Sequence, residues 1–166
     1  MNVTEALEKV LPSFEVYYNV RREDVTPPFI AEAIFHSHAE QYFLVKSARL
    51  SESESNEFVF FATADTLDED LLNTLDKKAW ETGLSRIHPH PDHKNSDVTL
   101  FILSQHITDD AFKKVQKLTH YKSYKFSLQG WSHYRLAAIE LSSGRAAYNR
   151  QGQSLKKLVS NIFKNP

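Results

Sequence analysis

Between Phe58 and Leu128 the chain twice passes from a short apolar run through an amphipathic helical pattern into another such run. Phe58–Thr63 leads through Leu67, Leu71, Leu72, Leu75 and Ala79, spaced for one helix face, to the strongly apolar Asp97–Ser104. That run leads through Ala111, Phe112, Val115 and Leu118 to Tyr124–Leu128, rich in β-formers. A strand that rejoins its sheet through a helix pairs parallel to the first, with a right-handed crossover. Thr66 and Glu69 are spaced as a capping box for the first helix and Gly83 as its stop, while Thr108 or Asp109 caps the second.

The flanks read differently. Val3, Ala6, Leu7 and Val10 predict a short first helix closed by Pro12, and Phe14–Val20 alternates like a strand. Phe29–Leu50 is apolar and β-rich but far longer than the usual ~5–6 residues of a strand, so a turn is expected at His36-Ser37-His38-Ala39-Glu40. Ser51–Asn56 reads as a polar hairpin connection. His133–Leu141 and Arg145–Tyr148 flank Ser142-Ser143-Gly144 as a hairpin, and a last helix from about Gln153 carries Leu155, Leu158, Val159 and Ile162. The expected fold is α/β, a mixed parallel and antiparallel sheet with helices packed on it, in a single domain over residues 1–166.

Hydrophobic residues make up 41% of the chain, including 11 Phe and 7 Tyr, enough for one substantial core. The absence of cysteine excludes disulfides, thiolate nucleophiles and sulfur-ligated zinc. Four glycines do not make a phosphate-cradling loop, and Gly-x-Ser-x-Gly is missing. The chain opens on a short amphipathic stretch without a basic start, and no run approaches the ~20 apolar residues of a bilayer span. A cytoplasmic address without membrane association is expected. Net charge is −1, yet residues 1–83 hold 7 Lys/Arg against 16 Asp/Glu while residues 84–166 hold 13 against 5. Such asymmetry either marks a basic face for an anionic partner or is neutralised by interleaving of the halves.

Three constellations carry chemistry. His36, His38 and Glu40 stand two apart, as strand residues that share a face do, and His88, His90 and His93 sit among prolines that hold the backbone extended. Together they would supply the nitrogen ligands of a zinc or other divalent ion, whose bound water is the nucleophile of a hydrolase. A turn at His36–Glu40 would break that shared face. The second constellation is Asn149-Arg150-Gln151-Gly152, which leads into the last helix with Arg135, Arg145, Lys156 and Lys157 close in sequence. Amides at a helix start beside an arginine bind phosphate or carboxylate, so an anionic small molecule or protein partner is expected at Arg135, Asn149, Arg150 and Gly152. The plainer alternative is a strand–turn–helix junction with solvated charges. In the third, aromatics interleave with lysines over Tyr121–Phe126, followed by Trp131. Base stacking there would need Tyr124, Phe126 or Trp131 exposed, and a sequence pI near 6.7 argues against nucleic acid.

Ala33-Ile34-Phe35-His36-Ser37-His38-Ala39-Glu40-Gln41-Tyr42, the run from Asp92-His93 to Leu103, Tyr124-Lys125-Phe126-Ser127-Leu128-Gln129-Gly130-Trp131 and Asn149-Arg150-Gln151-Gly152 stand out as strings. In that order they resemble an uncharacterised family of small single-domain bacterial proteins, a domain of unknown function. The resemblance implies a single bacterial domain and carries over no catalytic residue.

Overall fold

The long apolar runs expected to pair do so at the centre of one sheet. In a computed structural model, which describes residues 1–37 and 54–164, helix α1 (Val3–Glu15) precedes β1 (Asn19–Arg21), β2 (Ala31–Ser37) and β3 (Glu54–Leu67). Helix α2 (Glu69–Ser85), β4 (His93–Ile107), α3 (Asp109–Lys117), β5 (Tyr121–Ser123), β6 (Trp131–Glu140) and β7 (Ala146–Tyr148) follow. A 3₁₀ turn (Gln151–Leu155) then runs into α4 (Lys156–Lys164). The strand order is β1-β2-β3-β4-β6-β5, with β7 also on β6. β3, β4 and β6 are parallel, and β1, β2, β5 and β7 pair antiparallel with their neighbours. The fold is therefore a single-domain α/β structure on a mixed sheet.

Residues alternate between the two faces of the sheet. Phe58, Phe60, Val98, Leu100, Ile102, Tyr134 and Leu136 face α2 and α3. Val59, Phe61, Phe101, Leu103, Ala137 and Ile139 face α1 and α4. Both faces are covered, which is why β4 reads as a continuous apolar run.

Several boundaries differ from the sequence reading, each for a tertiary reason. Pro12 lies inside α1, and Phe14 ends that helix buried against Phe61 and Phe101 at ring distances of 5.1 and 6.1 Å. Of the expected first strand, Phe14–Val20, only Asn19 and Val20 are extended, in β1. Thr66 belongs to β3, and Asp68 caps α2 by accepting from the Leu71 amide at 2.8 Å. Gly83 does not stop α2. It lies within the helix against Val98, where an added Cβ would come within 2.4 Å of Cγ2. Glu54–Asn56 extend β3 rather than forming a loop. The second parallel partner of β4 is β6, and Tyr124–Leu128 is a turn.

Candidate functional site

Asn149 comes straight after β7 and is buried, and all four of its hydrogen-bonding positions are occupied. Its Oδ1 accepts from the Leu136 and Gly152 amides at 2.9 and 2.7 Å, and its Nδ2 donates to the Leu118 and Tyr134 carbonyls at 3.0 and 2.9 Å. The junction is thereby a brace between β6, α3 and the 3₁₀ turn. Gly152 is buried so close to the Leu136 carbonyl that a Cβ would come within 2.3 Å of its oxygen. Arg150 is exposed at the head of the turn. Arg135 stands elsewhere, on β6, with its guanidinium donating to Glu57 and, at 3.0 Å, to Asp97. The structure does not gather Arg135, Asn149, Arg150 and Gly152 around one space.

The histidines are partly gathered. At the amino ends of β3 and β4, a register shift sets Glu54 and Ser55 opposite His93 and Asn95, so β4 carries one extra residue there. This bulge turns His93 onto the face of Ser96. His93 Nδ1 donates to the Gln129 carbonyl at 2.6 Å, which leaves Nε2 to accept from the Ser96 hydroxyl at 2.7 Å. Ser96 accepts from Asn56 Nδ2 at 3.1 Å, and Asn56 Oδ1 accepts from His36 Nδ1 at 2.7 Å. His90 donates to Glu54, which also accepts from Asn56 at 3.0 Å. His36, His90 and His93 thus share one polar network, His88 is exposed outside it, and His38 and Glu40 lie outside the described residues. Among the described residues no group of three or more metal-ligating side chains is arranged to hold a cation. Both His93 nitrogens are spent on structure.

On the other face, Tyr18 and Arg135 donate to Glu57 while Asp97 receives Arg135 and, at 3.1 Å, the His133 amide. Burial raises the Glu57 carboxyl above its ordinary range, and Arg135 offsets only part of that. These groups satisfy one another.

A space able to receive a ligand lies at the opposite end, by the carboxyl terminus of β6. A cavity of about 350 Å³ opens between the β6–β7 hairpin and α4. Ile139, Leu141, Ala146, Val159 and Phe163 are among its apolar walls. Helix α4 presents Lys156, Ser160 and Lys164 to it at i, i+4 and i+8, the spacing of one helix face. Among the described residues the lysines in ion pairs are Lys77 and Lys114, and neither cavity lysine meets a carboxylate of those residues. Tyr148 lines the same space, buried, with its hydroxyl in no side-chain hydrogen bond among the described residues, and burial raises its pKa. The one acid of the lining, Glu140, is occupied. Arg145 Nε and the Ser143 hydroxyl donate to it at 2.7 and 2.5 Å, and the Ile107 amide donates at 2.5 Å. Arg145 foremost, against the cost of burial, holds its carboxyl at about 2.

Sequence reasoning named Lys156 as a neighbour of the anion site but missed Tyr148, Ser160 and Lys164. The i, i+4, i+8 spacing of Lys156, Ser160 and Lys164 was the available signal. No helix among the described residues is long and apolar enough to cross a membrane.

Fold and cavity define a small α/β protein with a ligand-sized hollow beside the carboxyl end of its parallel strands. Residues 2–161 match the family model described as a domain of unknown function, DUF8052, and the chain belongs to that family. Comparison with curated proteins found no match, and comparison with solved structures found none.

Proposed function

We propose that this protein is a binding or regulatory module for a small amphipathic anion, a carboxylate or phosphate ester with an apolar body. The body fills the cavity between α4 and the β6–β7 hairpin, and the head group meets Lys156 and Lys164 at the rim. The observation that carries this reading is the pairing of an apolar hollow with two ammonium groups on one helix face that meet no carboxylate among the described residues. Three further features support it. The volume falls within the ~300–1,000 Å³ usual for small-ligand sites. The carboxyl end of parallel strands is where open α/β sheets commonly take ligands. Glu140 is locked to Arg145, so its charge does not compete for the lysines. The basic junction expected from the sequence moves forward by six residues, from Arg150 to Lys156. A cytoplasmic setting in a bacterial cell, as expected from the sequence, belongs to the same proposal.

The test is thermal stabilisation of purified, tag-free protein by a series of linear carboxylates and the alcohols of equal length. A ligand at a hundred times its dissociation constant stabilises the folded state by about 2.7 kcal/mol. The carboxylates should stabilise more than the alcohols, with the effect growing with chain length until the hollow is full. Lys156→Ala with Lys164→Ala should reduce the carboxylate effect to that of the alcohol. Stabilisation by no carboxylate or phosphate ester of any length would contradict the proposal.

A further inference from the structure

The turn between β5 and β6 is built unlike a connecting loop. Lys125, Phe126 and Ser127 have φ of 47°, 54° and 69°, three successive left-handed residues, none of them glycine. Such residues are uncommon singly, and a run of three persists only where the surroundings impose it. Here the surroundings do. The Tyr124 amide donates to the Gly130 carbonyl at 2.9 Å and the Gln129 amide to the Tyr124 carbonyl at 3.1 Å. His93 holds the Gln129 carbonyl from beneath, and the Tyr124 hydroxyl meets the Ser132 hydroxyl at 2.9 Å. Gly130 lies so close to β4 that a Cβ would stand 2.2 Å from the Lys94 carbonyl oxygen. The histidine network thus has a structural product, a fixed turn.

What the turn presents is apolar. Phe126 is 97% exposed and Leu128 77%, beside exposed Tyr121 on the edge strand β5. Along the chain on either side of them the charge has one sign. From Ala111 to Ile139 the chain contains no Asp or Glu, while Lys113, Lys117, Lys122 and Lys125 are exposed.

We infer that this turn is a membrane-surface anchor, in which Phe126 and Leu128 enter the head-group boundary of an anionic bilayer and the flanking lysines contact its lipid head groups. Apolar side chains on a protein surface bind a bilayer by burial in that boundary, and nearby lysines add attraction to anionic lipid. A projecting tip suits a deformable surface. Single-stranded nucleic acid is the rival, because Phe126 meets the exposure that base stacking needs, but Leu128 has no π-face to offer a base. The lack of a bilayer-spanning stretch does not bear on such surface insertion.

The test is co-sedimentation of tag-free full chain with phosphatidylcholine vesicles, with and without phosphatidylserine, at low and high salt. The protein should pellet with the phosphatidylserine vesicles at low salt and be released by high salt, since exposed charges are screened. Phe126→Asn with Leu128→Ser should lower the partition coefficient by at least roughly tenfold. Asparagine tolerates the left-handed backbone, so the melting temperature should be unchanged. Lys122→Gln with Lys125→Asn, made separately, should weaken binding and its salt dependence together. Failure to pellet at low salt, or equal binding by the Phe126–Leu128 variant, overturns the inference. So does binding of a labelled single-stranded oligonucleotide without vesicle binding.

Discussion

The side-chain oxygen of Asn149 accepts the Gly152 amide at 2.7 Å while also accepting the Leu136 amide. Two of the four residues expected at an anion-binding start are therefore spent on holding β6 to the turn that introduces α4. Replacing Asn149 by Ala leaves two buried amides without an acceptor and two carbonyls without that donor. Each buried unsatisfied group costs about 1–3 kcal/mol, so the variant should lose several kcal/mol by chemical denaturation. Gly152→Ala should also destabilise, because its Cβ would press on the Leu136 carbonyl. Loss of ligand binding with unchanged stability would show instead that the junction itself is the site.

Acid should unfold this protein in a definite window. Glu32 is buried, and although burial alone would raise its pKa, Arg86, the Thr26 amide and Arg21 hold it at about 2. Glu140 is held at about 2 by Arg145 foremost. Both lie below the ordinary value of 4.5. Their contribution is thus complete above that value, and it is lost as pH falls toward 2, because the unfolded chain takes up its protons first. For Glu32 this is on the order of 3 kcal/mol at neutral pH, and for Glu140 it is smaller, because solvent screens the partly exposed Arg145 that holds it. Glu57 works with the opposite sign. Its raised pKa favours the protonated folded state, a contribution lost as pH rises. Denaturation at a series of pH values should show stability falling between about pH 4.5 and 2, and Glu140→Gln should flatten that fall. An unchanged acid slope in Glu140→Gln would contradict the assignment.

His93 is the brace beneath the β5–β6 turn. His93→Phe keeps the ring and removes both hydrogen bonds, leaving the buried Ser96 hydroxyl without its acceptor. A loss of about 1–3 kcal/mol is expected. Amide exchange should accelerate at Tyr124–Gly130 while β3 and the centre of β4 keep their protection. Uniform acceleration across the sheet would mean that His93 supports the whole core rather than this turn.

Legibility in the sequence followed the reach of the forces involved. β4, both helix faces of α2 and α3, the β6–β7 hairpin and the mixed sheet were readable because periodicity records burial along the chain. Phe14–Val20 was misread because alternation cannot tell a strand from a helix end whose last aromatic is buried against Phe61 and Phe101. Tyr124–Leu128 has a strand's composition, yet three left-handed residues are held there by His93, some thirty positions upstream. Gly83 resembled a stop because its close approach to Val98 is visible only in space. The cavity was half legible. Lys156 is legible as a cation near an anion site, but the walls come from three separate segments that no local pattern joins.

Backbone amide chemical-shift mapping tests the central claim most directly, with a medium-chain carboxylate titrated into isotope-labelled protein. Saturable shifts should cluster at Ala146, Tyr148, Val159, Ser160 and Phe163, shrink in Lys156→Ala with Lys164→Ala, and leave Arg150 and the His36–His93 network unmoved. Saturable shifts centred on Arg150, or none at the cavity with any carboxylate or phosphate ester, would contradict the account.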